Sequence, residues 1–146
     1  MGPRRRPVTL GALHHVEVWV PDLGAAMHSW GWLLGKLGWA PFQEWPVGRS
    51  WRLGPTYLVL EQSPALSGRH HDRLTPGLNH LAFHAGPPAA VDRLVEQAPA
   101  YGWELLFPDR HPYAGGAGTY AAYLSDGQGY EVELVASDGA PPSPSS

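Results

Sequence analysis

The first regular pattern in the chain is the segment LHHVEVWVPDL, in which apolar and polar residues alternate. Period-two alternation is typical of a β-strand with one buried face. The mostly apolar face consists of His14, Val16, Val18 and Val20. The opposite face consists of His15, Glu17 and Trp19. The pattern therefore predicts a strand that packs a core on one side and presents an imidazole and a carboxylate on the other.

Three later segments divide in the same way, with an apolar face opposite a face that contains His or Glu. The apolar faces are Leu58 and Leu60, then Leu81, Phe83 and Ala85, then Tyr130, Val132 and Leu134. The opposite faces are Tyr57, Val59 and Glu61, then His80, Ala82 and His84, then Glu131, Glu133 and Val135. A solvated sheet face would alternate with any polar residue, whereas these faces repeatedly offer His and Glu. If the sheet curves into a cup, these side chains converge.

Helical spacing follows two of these strands. Asp22 is a suitable N-cap for a helix that runs to about residue 37, where Gly38 provides a C-terminal signal. A second helix is predicted over residues 87–101, with Pro99 as a point where it could end early. The remaining strands are predicted at Trp51–Leu53, Tyr57–Gln62, Glu104–Phe107, Thr119–Leu124 and Tyr130–Val135, the last two joined by a tight turn at residues 126–129.

An internal repeat relates the two halves of the chain. LHHVEVWVPDLGAAM resembles LNHLAFHAGPPAAVD, and the match aligns His15 with His80. Each half reads as a strand, a helix and several further strands. We predict one pseudo-symmetric domain over residues 13–136, with modules at 13–62 and 78–136 and a linker at 63–77. Residues 1–12 are predicted to be a flexible arm, and residues 137–146 a disordered tail.

Composition narrows the range of partners. The 146 residues suit a single domain, and a net charge of -3 without a long basic stripe argues against nucleic acid. The chain has no cysteine, which excludes thiolate metal ligands and fits a reducing cytoplasm. No apolar run approaches membrane-spanning length. We therefore expect a cytoplasmic protein with a small-molecule partner and without nucleic-acid or membrane partners.

Three motifs carry a family resemblance: HVEVWVPD from His15, GLNHLAFHA from Gly77 and YLSDGQGYEVELV from Tyr123. Together they resemble the vicinal oxygen chelate superfamily, which includes glyoxalases, bleomycin-resistance proteins, fosfomycin-resistance thiol transferases, methylmalonyl-CoA epimerases and extradiol dioxygenases. Gly127 replaces the family's usual proline. The resemblance implies an α+β fold in which two βαβββ modules form a cupped, mostly antiparallel sheet with helices on its outer face. It also implies a homodimer.

The same resemblance implies one divalent metal ion, either iron, manganese, nickel or zinc, held by His15, His80 and Glu133. Two imidazoles and a carboxylate leave coordination positions open for substrate oxygens. Glu61 would be either a fourth ligand or a base, and Tyr123 would hydrogen-bond the substrate or only pack. The nearby Glu131 is expected to be solvent-exposed, and His14 to be structural.

Seven further residues are expected to line a substrate pocket: Glu17, Trp19, Trp51, Tyr57, His84, His111 and Tyr113. Three functions remain open. The first is a metal-dependent, glyoxalase-like lyase or isomerase that acts on a small substrate, either aromatic or non-aromatic. The second is a metal-free drug-binding protein of the bleomycin-resistance type. The third is an iron-dependent dioxygenase, although no counterpart of the dioxygenase active-site histidine precedes Tyr123.

Overall fold

Two four-stranded sheets with the same strand order form the framework of the computed structural model, which describes residues 8–137. The first sheet has the order β1-β4-β3-β2 and consists of β1 (His15–Trp19), β2 (Ala40–Trp45), β3 (Gly48–Leu53) and β4 (Thr56–Glu61). The second has the order β5-β8-β7-β6 and consists of β5 (Leu81–His84), β6 (Glu104–Leu106), β7 (Ala121–Ser125) and β8 (Glu131–Val135).

Each sheet pairs its first and last strands in parallel and its other neighbours antiparallel. One helix follows the first strand of each sheet: α1 (Leu23–Lys36) follows β1, and α2 (Pro88–Gln97) follows β5. The α+β prediction of two pseudo-symmetric βαβββ modules is therefore confirmed. Residues 8–12 of the predicted arm are exposed, whereas residues 1–7 and 138–146 lie outside the described part of the chain.

Helix α1 begins where its capping residue predicts. The side chain of Asp22 accepts a hydrogen bond from the Ala25 amide at 3.1 Å, which satisfies an otherwise unpaired N–H of the first turn. Gly38, with φ of +91°, follows the helix in a conformation that favours glycine. The face that α1 buries consists of Leu23, Ala26, Ser29, Trp30, Leu33 and Leu34.

Helix α2 is shorter than predicted. It ends at Gln97, and Ala98–Tyr101 forms a 3-10 turn with Pro99 in its first positions. Proline lacks the amide hydrogen that would continue the α-helical ladder. At Gly102, a Cβ atom would lie 2.8 Å from the Ser29 hydroxyl oxygen, so the turn approaches α1 closely.

Strand β2 was not predicted. Its sequence APFQEW has no alternation, five of its six residues are exposed, and its pairing with β3 shifts register between Pro41 and Glu44. An edge strand of this kind leaves no periodic signal in the sequence. Strand β3 begins at Gly48, three residues before the predicted start.

One core joins the two halves. The Trp30 ring on α1 packs edge-on against Trp103 at 5.3 Å between centroids, and its indole N–H donates to buried Asp126 at 2.9 Å. Trp103 donates in turn to the backbone oxygen of Ser29 at 2.9 Å. The two modules therefore have fixed positions relative to each other. Within residues 8–137, no helix is long and apolar enough to cross a membrane.

Candidate functional site

The polar faces of β1 and β4 form rows across the first sheet. The rows are His15 opposite Tyr57, Glu17 opposite Val59, and Trp19 opposite Glu61. His15, Glu17 and Trp19 are exposed, as the alternating pattern predicted for this face.

The second sheet repeats this arrangement with different residues. Ala82 of β5 lies opposite Glu133 of β8. His80, which directly precedes β5, lies beside Glu131, with Nδ1 3.3 Å from its carboxylate. The repeat therefore makes Glu131 the counterpart of Tyr57, and Glu133 the counterpart of Val59. The first module has aromatic and aliphatic side chains where the second has carboxylates.

Two of the three predicted metal ligands lie together in the second sheet. The Nε2 atom of His80 is 3.1 Å from a carboxylate oxygen of Glu133. The other ring nitrogen, Nδ1, is 2.7 Å from the side-chain oxygen of Asn79. Both nitrogens of His80 therefore have an oxygen partner, and Nε2 is the one that points toward Glu133.

Tyr123 completes this cluster from β7, where it lies opposite Glu133. Its ring stands edge-on to His80 at 5.7 Å between centroids. Burial of the phenol and the negative charge of Glu133 raise the pKa of Tyr123, so the hydroxyl stays protonated at physiological pH and can donate a hydrogen bond. The loop after β6 passes close to it, since a Cβ on Gly115 would be 2.7 Å from the Tyr123 hydroxyl oxygen.

Glu131 is buried, and the prediction of an exposed position was wrong. Its exposed fraction is 3%, and Nη1 of Arg73, a linker residue, lies 3.1 Å from the carboxylate. Nδ1 of His80 lies 3.3 Å from its second oxygen. The contact with Arg73 is a charge contact without hydrogen-bond alignment. Arg73 was not predicted, because the linker carries no periodic pattern. Asn79 was not predicted either, although it directly precedes His80.

His15, the third predicted ligand, has an aromatic environment. Its ring stacks face to face on Tyr57, with centroids 4.8 Å apart and planes 7° from parallel. Phe42 extends the group, at 5.4 Å from the Tyr57 ring. His14 is exposed and lies 2.8 Å from His15 through their Nδ1 atoms, so the expectation that it faces the core was wrong.

Glu61 and Glu17 are each held by a tryptophan. The Glu61 carboxylate accepts a hydrogen bond from the Trp45 indole at 3.1 Å, and Glu17 accepts one from Trp19 at 2.8 Å. Trp45 lies directly across Gly48, where a Cβ would be 2.2 Å from its ring. Val59, rather than Glu61, occupies the position that matches Glu133 in the repeat.

The other predicted pocket residues are dispersed. Trp51 is buried in the core: it is 7% exposed, and its ring reaches α1 at Gly31. His84 is exposed on β5, and His111 is half-buried in the loop after β6. Tyr113, in the same loop, is exposed and stands edge-on to Tyr120 at 5.9 Å.

The donor types suit a divalent metal, but they are divided between the sheets. Glu133 lies on β8 of the second sheet and His80 directly before β5 of that sheet, whereas His15 lies on β1 of the first sheet. Among residues 8–137, no three His, Cys, Asp or Glu side chains of one chain come close enough together to hold a metal ion.

The duplicated βαβββ topology, with histidines at equivalent positions of the two modules, defines a vicinal oxygen chelate fold. Accordingly, the chain belongs to the glyoxalase/bleomycin resistance protein/dioxygenase superfamily, whose sequence model matches residues 14–123.

Individual relatives include the uncharacterized protein YqjT of Bacillus subtilis, which is 45% identical over 126 residues, 85% of this chain and 98% of that protein. A crystal structure from Bacillus halodurans, provisionally described as a glyoxalase, is 42% identical with a TM-score of 0.83 and covers 88% of this chain and 97% of its own. The fosfomycin resistance protein FosX of Listeria monocytogenes, in complex with Mn(II) and a dihydroxypropylphosphonic acid, shares the fold at 18% identity, with a TM-score of 0.61 and coverage of 87% and 90%.

Proposed function

We propose that this protein is a metal-dependent, glyoxalase-like enzyme that acts on a small molecule with two neighbouring oxygen atoms. The observation that carries the proposal is the pair of His80 and Glu133, whose Nε2 and carboxylate oxygen face each other at 3.1 Å. Imidazole and carboxylate are ligands that several divalent metals share. The FosX neighbour, which was crystallised with Mn(II) and a vicinal dihydroxy compound, supports both the metal and the substrate class.

His15, His80 and Glu133 would hold the metal, and a bound divalent metal would supply Lewis acidity to the substrate oxygens. Tyr123, as a neutral phenol beside Glu133, would donate a hydrogen bond to one of these oxygens. Glu61 would accept a proton from the carbon next to a carbonyl group, with its carboxylate oriented by the Trp45 indole. These roles correspond to lyase or isomerase chemistry.

We also infer that the enzyme is a homodimer, in which His15 of one copy meets His80 and Glu133 of the other. Strands β1 and β5, which carry or adjoin the two histidines, both stand at the end of their sheets. Edge strands present backbone groups that a second chain can pair with. The exposed side chains of Leu13 and Trp19 beside His15 would be covered by such a partner.

A metal-free protein that binds a flat, drug-like molecule is the second candidate. It is favoured by the aromatic group of His15, Phe42 and Tyr57 on the open face of the first sheet. Arg52 adds a guanidinium over the Phe42 ring at 5.2 Å. Stacking on these rings would bind an aromatic ligand without a metal.

Metal content of untagged protein, purified without added metal, separates the two candidates. We expect close to one divalent ion per chain in the wild type, and its loss in His15→Ala. His28→Ala is the matched control, since His28 is an exposed residue on α1, and this variant should keep the metal. If the wild type neither retains metal nor binds it on titration with Mn²⁺, Ni²⁺, Zn²⁺ or anaerobic Fe²⁺, the enzyme proposal fails and the drug-binding candidate replaces it. Retained iron would favour the dioxygenase reaction over lyase or isomerase chemistry.

A further inference from the structure

We propose that Glu131, Asn79 and Arg73 form a positioning group that fixes the His80 ring so that its Nε2 atom faces Glu133. The proposal rests on the proposed metal-binding function. None of the three residues is among the expected metal ligands. They would act on the metal only through His80.

Glu131 is a buried carboxylate beside His80. A carboxylate with an exposed fraction of 3% loses most of its hydration, and such a group is retained when charged partners compensate it. Arg73 supplies one partner at 3.1 Å, and the imidazole of His80 faces the other oxygen at 3.3 Å. Glu131 is thus held between a guanidinium and the ring that it would orient.

Asn79 provides the second constraint on the same nitrogen. Its side-chain amide donates to the backbone oxygen of Arg73 at 3.0 Å, which turns its carbonyl oxygen toward His80 Nδ1 at 2.7 Å. Arg73 therefore anchors both groups that face Nδ1: it anchors Glu131 through the guanidinium and Asn79 through the backbone. The linker residue would fix the orientation of His80 without touching it.

The Asn79 oxygen at 2.7 Å and the Glu131 carboxylate at 3.3 Å both favour a proton on Nδ1. Nε2, which faces Glu133, is therefore the nitrogen that would bind a metal in place of its hydrogen bond to Glu133. Metal-binding histidines commonly donate their second N–H to a carboxylate or carbonyl oxygen, and loss of that partner costs about 10- to 100-fold in metal affinity. His15 lacks this support: its counterpart of Glu131 is Tyr57, against which it stacks. The positioning group is therefore specific to the second module.

The test compares wild type with Glu131→Gln, which removes the charge and keeps the shape, and Asn79→Ala, which changes an exposed residue. The matched control is Glu96→Gln, at an exposed helical glutamate. Calorimetric titration with Mn²⁺ alone should show affinity reduced about tenfold or more in both test variants and unchanged in the control. If Glu131→Gln does not fold, Glu131→Asp replaces it, because the shorter side chain withdraws the carboxylate from His80.

A second readout needs no metal. Long-range ¹H–¹⁵N spectra of the metal-free protein, with the His80 signals assigned through His80→Gln, should show a hydrogen-bonded Nδ1, and both test variants should shift the Nδ1 signal. An unshifted Nδ1 signal, or an unchanged Mn²⁺ affinity in both variants of a wild type that binds Mn²⁺, would overturn the positioning role. A wild type that binds no metal would instead refute the proposed function, and the spectra would still test the arrangement around His80.

Discussion

At the scale of single residues, two residues at equivalent positions of the repeat can have different chemical environments. His15 and His80 align in sequence and in register, yet one ring stacks on Tyr57 and the other faces carboxylates. Sequence alternation predicted the exposed face of β1 that carries His15, because the face depends only on the period of a strand. It was wrong for His14, which precedes the strand and is exposed. It could not predict the burial of Glu131, because that depends on Arg73 from a linker with no periodic pattern.

Tyr130 gives a residue-scale prediction about pH. Its ring is buried, its hydroxyl donates to the backbone oxygen of Trp19, and burial together with the charge of Asp126 raises its pKa to about 12 from 10.0. Between pH of about 10 and 12, the unfolded chain loses this proton while the folded protein keeps it, so the free energy of unfolding falls as pH rises.

Tyr130→Phe should show a shallower fall over that range, which urea unfolding at a series of pH values can measure. At neutral pH the same variant should lose about 1 kcal/mol, because the Trp19 oxygen loses its donor. Tyr113→Phe is the control, since Tyr113 is 47% exposed, and it should match the wild type at neutral pH. Identical pH profiles of stability for wild type and Tyr130→Phe would contradict the raised pKa of the Tyr130 hydroxyl.

At the scale of elements, the helices and strands with a periodic or capping signal were predicted, and an element without such a signal was missed. Asp22 and Gly38 define α1 through local chemistry. The exposed edge strand β2 has no alternation and was missed, and α2 was predicted too long because the early end at Pro99 was only an option. The close approach of Gly102 to Ser29, which holds the following turn against α1, is a contact between distant segments.

The turn between β7 and β8 carries a prediction at this scale. Asp126 is 5% exposed: one oxygen accepts from the amides of Gln128 and Tyr130, and the other accepts from the Trp30 indole, each at 2.9 Å. In Asp126→Asn, the side-chain NH2 group must face one of these N–H donors, so at least one buried hydrogen bond is lost.

We expect Asp126→Asn to lower the free energy of unfolding by about 1–3 kcal/mol, measured by chemical denaturation. Asp109→Asn makes the same substitution at an exposed loop position and should leave stability unchanged. A stability for Asp126→Asn equal to that of Asp109→Asn would show that the buried carboxylate does not hold the turn to α1.

At the scale of the whole molecule, the internal repeat predicted the duplicated topology, because similar sequences in the two halves form similar modules. How the copies pack depends on contacts with no local signal, such as Trp30 with Trp103 and Asp126. This packing joins the modules into one core and leaves His15 on a different sheet from His80 and Glu133. The proposed set of metal ligands therefore requires two copies of the chain, one that provides His15 and one that provides His80 and Glu133.

The proposed site shared between two copies makes a quantitative prediction for mixed dimers. His15→Ala and His80→Ala should each lose metal, but a dimer of one with the other contains one site in which both histidines are intact. With random pairing, half of the dimers are mixed, so about one quarter of the wild-type metal capacity should return. Co-expression with two different tags, and metal analysis of the total dimer fraction, would measure it.

The matched control is a mixture of His80→Ala with Glu133→Gln. Both changes lie in the second module, so every site of a mixed dimer lacks one of the two ligands and no capacity should return. A site within one chain predicts no recovery in either mixture, because each variant chain carries its own defect into its own site. Recovery in the first mixture alone is the signature of a site built from two copies. The tags demonstrate that mixed dimers have formed. If both mixtures then recover the same metal capacity, the proposal of a site shared between two copies is contradicted.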